Sequence, residues 1–239
     1  MLFELGLTDS RQKSQYLIQA GKVEVNKKIF LKNNHLITGL EKIRINNNDK
    51  NWVSRGALKL IGVFESFPQI NVQNKICLDV GSGTGGFTEI LLYQKAHFVY
   101  AVDVGRNQFS NKLKLNSNVK SFEGIDIRKF NLIELKEQVE IIVCDVSFIS
   151  VTKILSKVFE FAKKNAWIIV LVKPQFELTK QEIEKNGIIK NPKLHLKAIS
   201  SVKNFIAKNL NCSIKGLIES PIKGIKGNKE FFLVLRKKN

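Results

Sequence analysis

Cysteine, histidine and acid are the scarce residues of this chain, and each scarcity excludes something. The three cysteines, Cys77, Cys144 and Cys212, lie far apart, which rules out a disulfide framework and a cysteine-only zinc site. Three scattered histidines, His35, His97 and His195, add no ligand pair, so no metal is expected. No run of about 18 apolar residues occurs, and the opening MLFELGLTDSRQKSQ lacks a basic-then-apolar signal region. Membrane-spanning, secreted and collagen-like readings therefore fall away, and a reducing, cytoplasmic setting is expected. Acids number 21 against 39 Lys+Arg, for a formal charge of +18 on 239 residues. Hydrophobic residues at 44% and charged residues at 25% are ordinary for a folded protein of one large domain, or of one medium domain with a small appendage.

Such an excess attracts polyanions. A Lys- and Asn-rich coding bias explains why Lys outnumbers Arg, but less easily why acids stay so few. The excess is also uneven, with 14 basic and 4 acidic residues in 180–239. Nucleic acid is the expected partner, and no stable membrane association is expected.

Two patterned regions flank the polar, turn-rich Asn46–Asn51. In the first, Leu2, Phe3, Leu5 and Leu7 predict an apolar helix. Ser10 stands where an N-cap should, Tyr16, Leu17, Ile18 and Ala20 supply the buried side of the next helix, and Gly21 stops it. Val23–Asn26 then alternates as a strand. From residue 52 onward strands alternate with helices. Ile76–Val80, Phe98–Val104, Ile141–Val146 and Trp167–Val172 are continuous apolar runs, with a weaker strand at Val119–Phe122. Helices are predicted over Phe87–Tyr93 and Ile149–Ala162. Another is predicted after Pro192, with Leu196, Ile199, Val202, Phe205, Ile206 and Leu210 on its apolar side. Ser213–Ile218 and Phe231–Leu235 are strand-like, and the second is expected to close the sheet. The pattern predicts an α/β domain with a parallel, doubly wound sheet and helices on both faces.

Ile76–Val80 runs directly into Gly81-Ser82-Gly83-Thr84-Gly85-Gly86-Phe87. A glycine loop between a buried strand and a helix lets a ligand approach the backbone at the electropositive helix start. Gly81, Gly83 and Gly86 satisfy G-x-G-x-x-G, and Asp103, 22 residues after Gly81, is placed to take both ribose hydroxyls of a nucleoside. On this motif alone a dinucleotide-binding oxidoreductase is a live alternative. Asp79, two residues before Gly81, favours S-adenosylmethionine instead, because a strand-end carboxylate suits an ammonium and repels a diphosphate. Asp126, after the third strand, is a candidate for the adenine amino group or a helix cap.

Asp145 and Lys173 emerge from apolar runs at strand carboxyl ends, where ligands sit in such sheets. Seven segments carry a wider likeness: WVSRGALKL (Trp52–Leu60), DVGSGTGGFT (Asp79–Thr88), AVDVG (Ala101–Gly105), CDVSFIS (Cys144–Ser150), LVKPQFE (Leu171–Glu177), NGIIK (Asn186–Lys190) and SPIKGIKGNKEF (Ser220–Phe231). Together they resemble the TlyA (hemolysin A) family, ribosomal RNA 2′-O-methyltransferases with an FtsJ-like catalytic domain behind a small S-four-type RNA-binding domain. The likeness covers nearly the whole chain. It implies an α+β S-four-type domain at 1–47, a linker at 48–51 and a Rossmann-like methyltransferase domain at 52–239.

The resemblance implies a catalytic tetrad of Lys59, Asp145, Lys173 and Glu230. Lys173 would be the base toward a ribose hydroxyl, while the second ammonium of Lys59 and the cofactor's sulfonium favour its neutral form. Asp145 and Glu230 would orient the lysines. The implied cofactor site comprises Asp79, Gly81, Ser82, Gly83, Gly85, Gly86, Phe87, Asp103, Asp126 and Asp145. The RNA-binding candidates are Arg11, Lys13, Gln19, Lys22, Asn26, Lys27 and Arg55. The implied reaction is methyl transfer to a cytidine in ribosomal RNA, free or in a ribosomal subunit. A first helix starting almost at Met1, without the family's usual Arg-Leu-Asp opening, gives the expectation that large-subunit RNA is favoured over small. The family's older name leaves a membrane-active hemolysin as the other alternative, though no amphipathic helix is spare for that role.

Overall fold

A computed structural model describes residues 2–19, 22–26, 28–29, 38, 41–45, 52–183 and 187–239. The expected linker, Ala20, Gly21 and Lys27 lie outside the described residues. The chain divides into two compact units, Met1–Trp52 and Val53–Asn239.

The first unit has one helix and three short strands: α1 (Arg11–Gln19), β1 (Val23–Val25), β2 (Lys28–Ile29) and β3 (Ile43–Ile45). β1 lies in the middle and pairs antiparallel with both neighbours. Ser10 caps α1, its Oγ accepting from Lys13 N at 3.1 Å. Leu17 of α1 packs with Val23, Val25 and Leu2 in a small apolar core. The helix predicted over Leu2–Leu7 is instead a turn, with Gly6 at φ +67° and Leu7 N donating to Leu2 O. Leu2 alone of its four apolar residues is buried, while Phe3, Leu5 and Leu7 are exposed. A left-handed glycine after five residues leaves no room for a helical stripe.

In the second unit the order is α2 (Gly56–Ser66), β4 (Ile76–Val80), α3 (Gly86–Tyr93), β5 (Phe98–Asp103), α4 (Asn111–Lys114) and β6 (Val119–Glu123). Then come β7 (Val139–Cys144), α5 (Thr152–Phe161), β8 (Ala162–Val172), α6 (Pro174–Glu177), α7 (Pro192–Asn209), β9 (Cys212–Glu219) and β10 (Phe231–Lys237). Its seven-stranded sheet runs β6-β5-β4-β7-β8-β10-β9. The first five strands are parallel, and β10 is antiparallel to both β8 and β9. β10 thus fills the slot beside β8, and β9, not β10, closes that edge. Chain order reverses at β4, whose neighbours are β5 and β7, so a crevice opens beyond its carboxyl end.

The central strands are buried on both faces, as continuous apolar runs require: Cys77, Leu78, Ile142, Val143, Ile168 and Ile169 are all fully buried. Truncating such a residue, Ile142→Ala for example, costs about 2–5 kcal/mol. That rigid base holds the strand ends in place. α7 starts on Pro192, with Asn191 Oδ1 accepting from Lys193 N at 2.9 Å. Its buried stripe is His195, Ala198, Ile199, Val202 and Ile206. Leu196, expected on that stripe, is 62% exposed, because it lies one residue and so about 100° off it.

Candidate active site

The crevice beyond β4 has a backbone wall. Gly81 sits at φ +80°, and a Cβ there would lie 2.6 Å from the carbonyl oxygen of Asp145, so only glycine fits. Gly81 N and Ser82 N both donate to Val102 O, and Gly85 N donates to Ser82 O, which folds the loop back over β5. Gly83, at φ +52°, has nothing within 4 Å of where its Cβ would be, so the loop turns bare backbone toward open space. Ser82 is buried. Gly85 precedes α3 and Gly86 begins it. The Phe87 side chain is buried against Phe232, leaving only its backbone in the first turn for a ligand.

Asp103 braces this loop. Its Oδ2 accepts from Gly83 N at 2.8 Å and its Oδ1 from Gly105 N at 2.6 Å. Each oxygen keeps a lone pair beyond those bonds for a ligand hydroxyl. Asp79 is fully buried; its Oδ2 accepts from Thr88 Oγ1 at 2.7 Å, and its Oδ1 is buried without a hydrogen-bond partner. Burial pushes its carboxyl up to about 7, against the Thr88 hydrogen bond and with a further push from Asp145. A buried acceptor left open beside a glycine loop fits the ammonium of an amino-acid tail. Asp126 is otherwise engaged: its carboxylate accepts from Arg128 N, Nε and Nη2 and caps the short 3₁₀ turn Ile127–Lys129. Those bonds with Arg128 hold it below the ordinary carboxylate range, and it serves as the cap the sequence also allowed.

The second wall is made of side chains. Lys59 from α2 lies 2.7 Å from Glu230 Oε2 and 3.4 Å from Asp145 Oδ2. Lys173, at the end of β8, lies 2.6 Å from Asp145 Oδ1. Lys59, Lys173 and Glu230 are buried, and Asp145 is half-buried between the lysines. The structure thus joins all four tetrad residues in one chain of ion pairs with no net charge. Burial alone would raise the Asp145 carboxyl, but Lys173 and then Lys59 outweigh it and hold it below its usual value. Glu230 begins where the 220–230 loop ends, and Gly224 packs against its Oε1, closer than a Cβ would allow.

Several residues of the site carry no chemical signature of their own in the sequence, although they lie within the quoted segments. Thr88 supplies the hydrogen bond to Asp79 from the first turn of α3. Ser147 Oγ accepts from Lys173 Nζ at 2.7 Å. Phe148 stands at φ +65°, 91% exposed, with its ring 5.3 Å from that of Phe176. Glu177 accepts from Val151 N at 2.9 Å and from Ser150 Oγ at 2.5 Å, tying the start of α5 to α6. Asn228 accepts from Ile189 N and donates to Gly187 O, clasping two loops together. The signal that could have found them is their place inside the segments that carry the family likeness.

Of the RNA-binding candidates, Arg55 donates to the carbonyl of Lys223 and anchors the 220–230 loop. In the first unit Arg11 is exposed and lies 3.9 Å from Glu4. The ammoniums of Lys13 and Lys22 sit over the Tyr16 ring at 5.7 and 5.9 Å. Asn26 turns the chain at φ +49°, its Oδ1 accepting from Lys42 N. Gln19 ends α1.

A family model for FtsJ-like methyltransferases matches residues 52–237. "Hemolysin A" of Brachyspira hyodysenteriae is 41% identical, covering 95% of this chain and 93% of the relative. The 16S/23S rRNA (cytidine-2′-O)-methyltransferase TlyA of Mycobacterium tuberculosis is 36% identical over 98% of this chain and 87% of its own length. The 23S rRNA (cytidine-2′-O)-methyltransferase TlyA of Campylobacter jejuni is 42% identical over 76% of this chain and 69% of its own. Among solved structures, a hemolysin-named protein of Streptococcus thermophilus superposes with a TM-score of 0.78 at 33% identity, covering 100% of this chain and 86% of that one. The magnesium protoporphyrin IX methyltransferase of Synechocystis, at 12% identity and a TM-score of 0.54 over 77% of this chain and 82% of its own, shares the fold.

Proposed function

Because this chain belongs to the TlyA (hemolysin A) family of FtsJ-like methyltransferases, we propose that it moves a methyl group from S-adenosylmethionine to the ribose 2′-hydroxyl of a cytidine in ribosomal RNA. The observation that carries this reading is the buried Lys59–Asp145–Lys173–Glu230 chain of ion pairs set beside the glycine loop. The residues fit the cofactor: the open Asp79 Oδ1 suits its ammonium, Gly83 lets it approach the backbone, and Asp103 suits its ribose. When bound, the cofactor supplies a methyl group on a cationic sulfur, electrophilic toward an in-line oxygen.

The chain's own residues do the rest. A ribose hydroxyl is a poor nucleophile until its proton leaves, and Lys173 Nζ, at the strand end facing the crevice, takes that proton. Asp145 holds Lys173 by its Oδ1 and Lys59 by its Oδ2, so the base cannot swing away. Glu230 anchors the far side of Lys59. With Lys173 in its base form the set holds one ammonium against two carboxylates, so the proton gained at Lys173 brings it to neutrality rather than adding an uncompensated charge. The exposed ring of Phe148, two residues past Val146, offers a face on which an unpaired base can stack.

Docking falls to the first unit, read as the S-four-type RNA-binding domain, and to the basic 180–239 region. Large-subunit RNA is favoured, since the names of both the Mycobacterium and the Campylobacter relatives include 23S rRNA. A cytoplasmic location follows from that substrate. The hemolysin name on the Brachyspira relative does not alter the reading, because the matching family model and the TlyA relatives are named for methyl transfer; among the described residues no helix is long and apolar enough to cross a membrane. Nor do the described residues hold a group of three or more metal-binding side chains.

Incubation with S-adenosylmethionine and 23S RNA, 16S RNA, or the assembled subunits, followed by mapping of 2′-O-methyl positions, tests the proposal. A ribose-methylated cytidine in 23S RNA is expected. Methylation on a base, or none on any of these substrates, would overturn it.

A further inference from the structure

Lys173 Nζ forms an ion pair with Asp145 Oδ1 at 2.6 Å and donates a hydrogen bond to Ser147 Oγ at 2.7 Å. To accept a proton it must present a lone pair. A neutral amine carries two N–H bonds and one lone pair at tetrahedral corners. With Asp145 as sole acceptor, the amine turns freely about that one contact and its lone pair sweeps a cone. A second acceptor takes the second N–H and leaves the lone pair a single direction. We propose that Ser147 is a positioning residue: its hydroxyl oxygen takes that second N–H and fixes the Lys173 lone pair toward the ribose hydroxyl. The proposal rests on Lys173 being the base.

The loop carrying Ser147 is held at both ends. Asp145 N donates to Val80 O at 2.9 Å, and at the other end Glu177 receives both Val151 N and Ser150 Oγ. Between them Phe148 adopts φ +65°, a conformation costly for a bulky side chain, and it does so one residue after Ser147. Ser147 is itself exposed, so no packing demand accounts for its placement. A strained turn secured at both ends, with a serine hydroxyl delivered onto a strand-end lysine, is the arrangement expected where strain supports orientation.

The test compares Ser147→Ala, Ser147→Thr and Lys173→Ala in full-length protein. Single-turnover methylation is measured at saturating cofactor and ribosomal RNA, beside calorimetric titration of S-adenosylmethionine. Misorientation of a reacting group costs about ten- to a hundredfold in rate, so Ser147→Ala should fall by that factor at the plateau. Its cofactor affinity and its dependence on RNA concentration should be unchanged. Ser147→Thr keeps the hydroxyl and should recover most of the rate, whereas a merely structural role would not discriminate the two variants this way. Full plateau rate in Ser147→Ala with Lys173→Ala inactive would overturn the positioning role and leave the base intact. Equal losses in the Ala and Thr variants would overturn it as well. Full turnover by Lys173→Ala would instead remove the reading beneath it.

Discussion

The two walls of the crevice are built in opposite ways. Asp79–Thr88 is one unbroken stretch that works mainly through backbone, with Gly81 and Gly83 admitting what no side chain would. The tetrad is gathered from α2, from just past the ends of β7 and β8 and from just before β10, and works only through side-chain charge. A backbone wall tolerates changes of charge nearby but not an added methyl group. A charged wall tolerates small changes of shape but not the loss of one partner. The walls touch where Gly81 packs on the Asp145 carbonyl. Binding and transfer should therefore separate in variants of either wall.

The largest effect should come from Lys173→Ala. Losing a general base costs about 10²–10⁴ in rate, while cofactor binding, seated on the other wall, stays near normal. Asp103→Ala should do the reverse, weakening cofactor affinity by freeing Gly83 and Gly105, with turnover partly restored by excess cofactor. Calorimetry beside single-turnover assays reads both, and parallel losses in the two variants would erase the division of labour.

Next in size is Lys59→Met, which leaves Glu230 buried without its cation. Removing one member of a buried pair costs about 3–5 kcal/mol, to be read in urea melts. Adding Glu230→Gln should return part of that stability without returning activity. A double variant no more stable than the single one would show that the pair is not the source.

Asp79 gives a smaller, pH-dependent signature. Its carboxyl, ordinarily near 3.8, is pushed up to about 7 by burial, so the folded protein holds a proton that the unfolded chain has released. Without cofactor, this contribution to stability is present below the ordinary value and is lost as pH rises through about 7. An ammonium selects the carboxylate, so cofactor affinity should tighten as pH rises toward that value and level off above it. Titration in buffers of different ionisation enthalpy should show proton release below it, and Asp79→Asn should abolish the release. Proton release unchanged in Asp79→Asn would assign it to another group.

The smallest effect concerns neither wall. Changing Lys193, Lys197 and Lys203 on α7 together to Gln should flatten the salt dependence of RNA binding by at most about three phosphate contacts. Lys197 is already paired with Glu182, which trims its share. An unchanged slope would make α7 solvated surface.

The walls also differ in how far they could be read from sequence. β4 falls at the residues its apolar run predicted, and the glycine loop follows at once, because both depend on neighbours in the chain. Spacing placed Asp145 and Lys173 at strand ends, but joining them to Lys59 and Glu230 came from the family resemblance. Ser147 and Thr88 stayed hidden because a hydroxyl's partner is set by packing, not by pattern. The Leu2–Leu7 turn was misread because apolar content alone does not reveal where Gly6 goes left-handed. The place of β10 was misread because a strand's position in a sheet depends on pairing across the chain. β8 offers its free edge to Phe231–Lys237, which enters between it and β9.

That late strand sets a timetable for the enzyme. Glu230 is fixed by the register that pairs Phe231 with Val172, so it meets Lys59 only after β10 has zipped onto β8. Lys59 is made early and its acid partner near the end, a contact of long sequence separation that is slow to form. The parallel strands β4 to β8, with the glycine loop, Asp145 and Lys173, all leave the ribosome before Glu230 does. A chain interrupted before Glu230 therefore carries its whole cofactor wall and three of the four tetrad residues in sequence, and the fourth waits on β10.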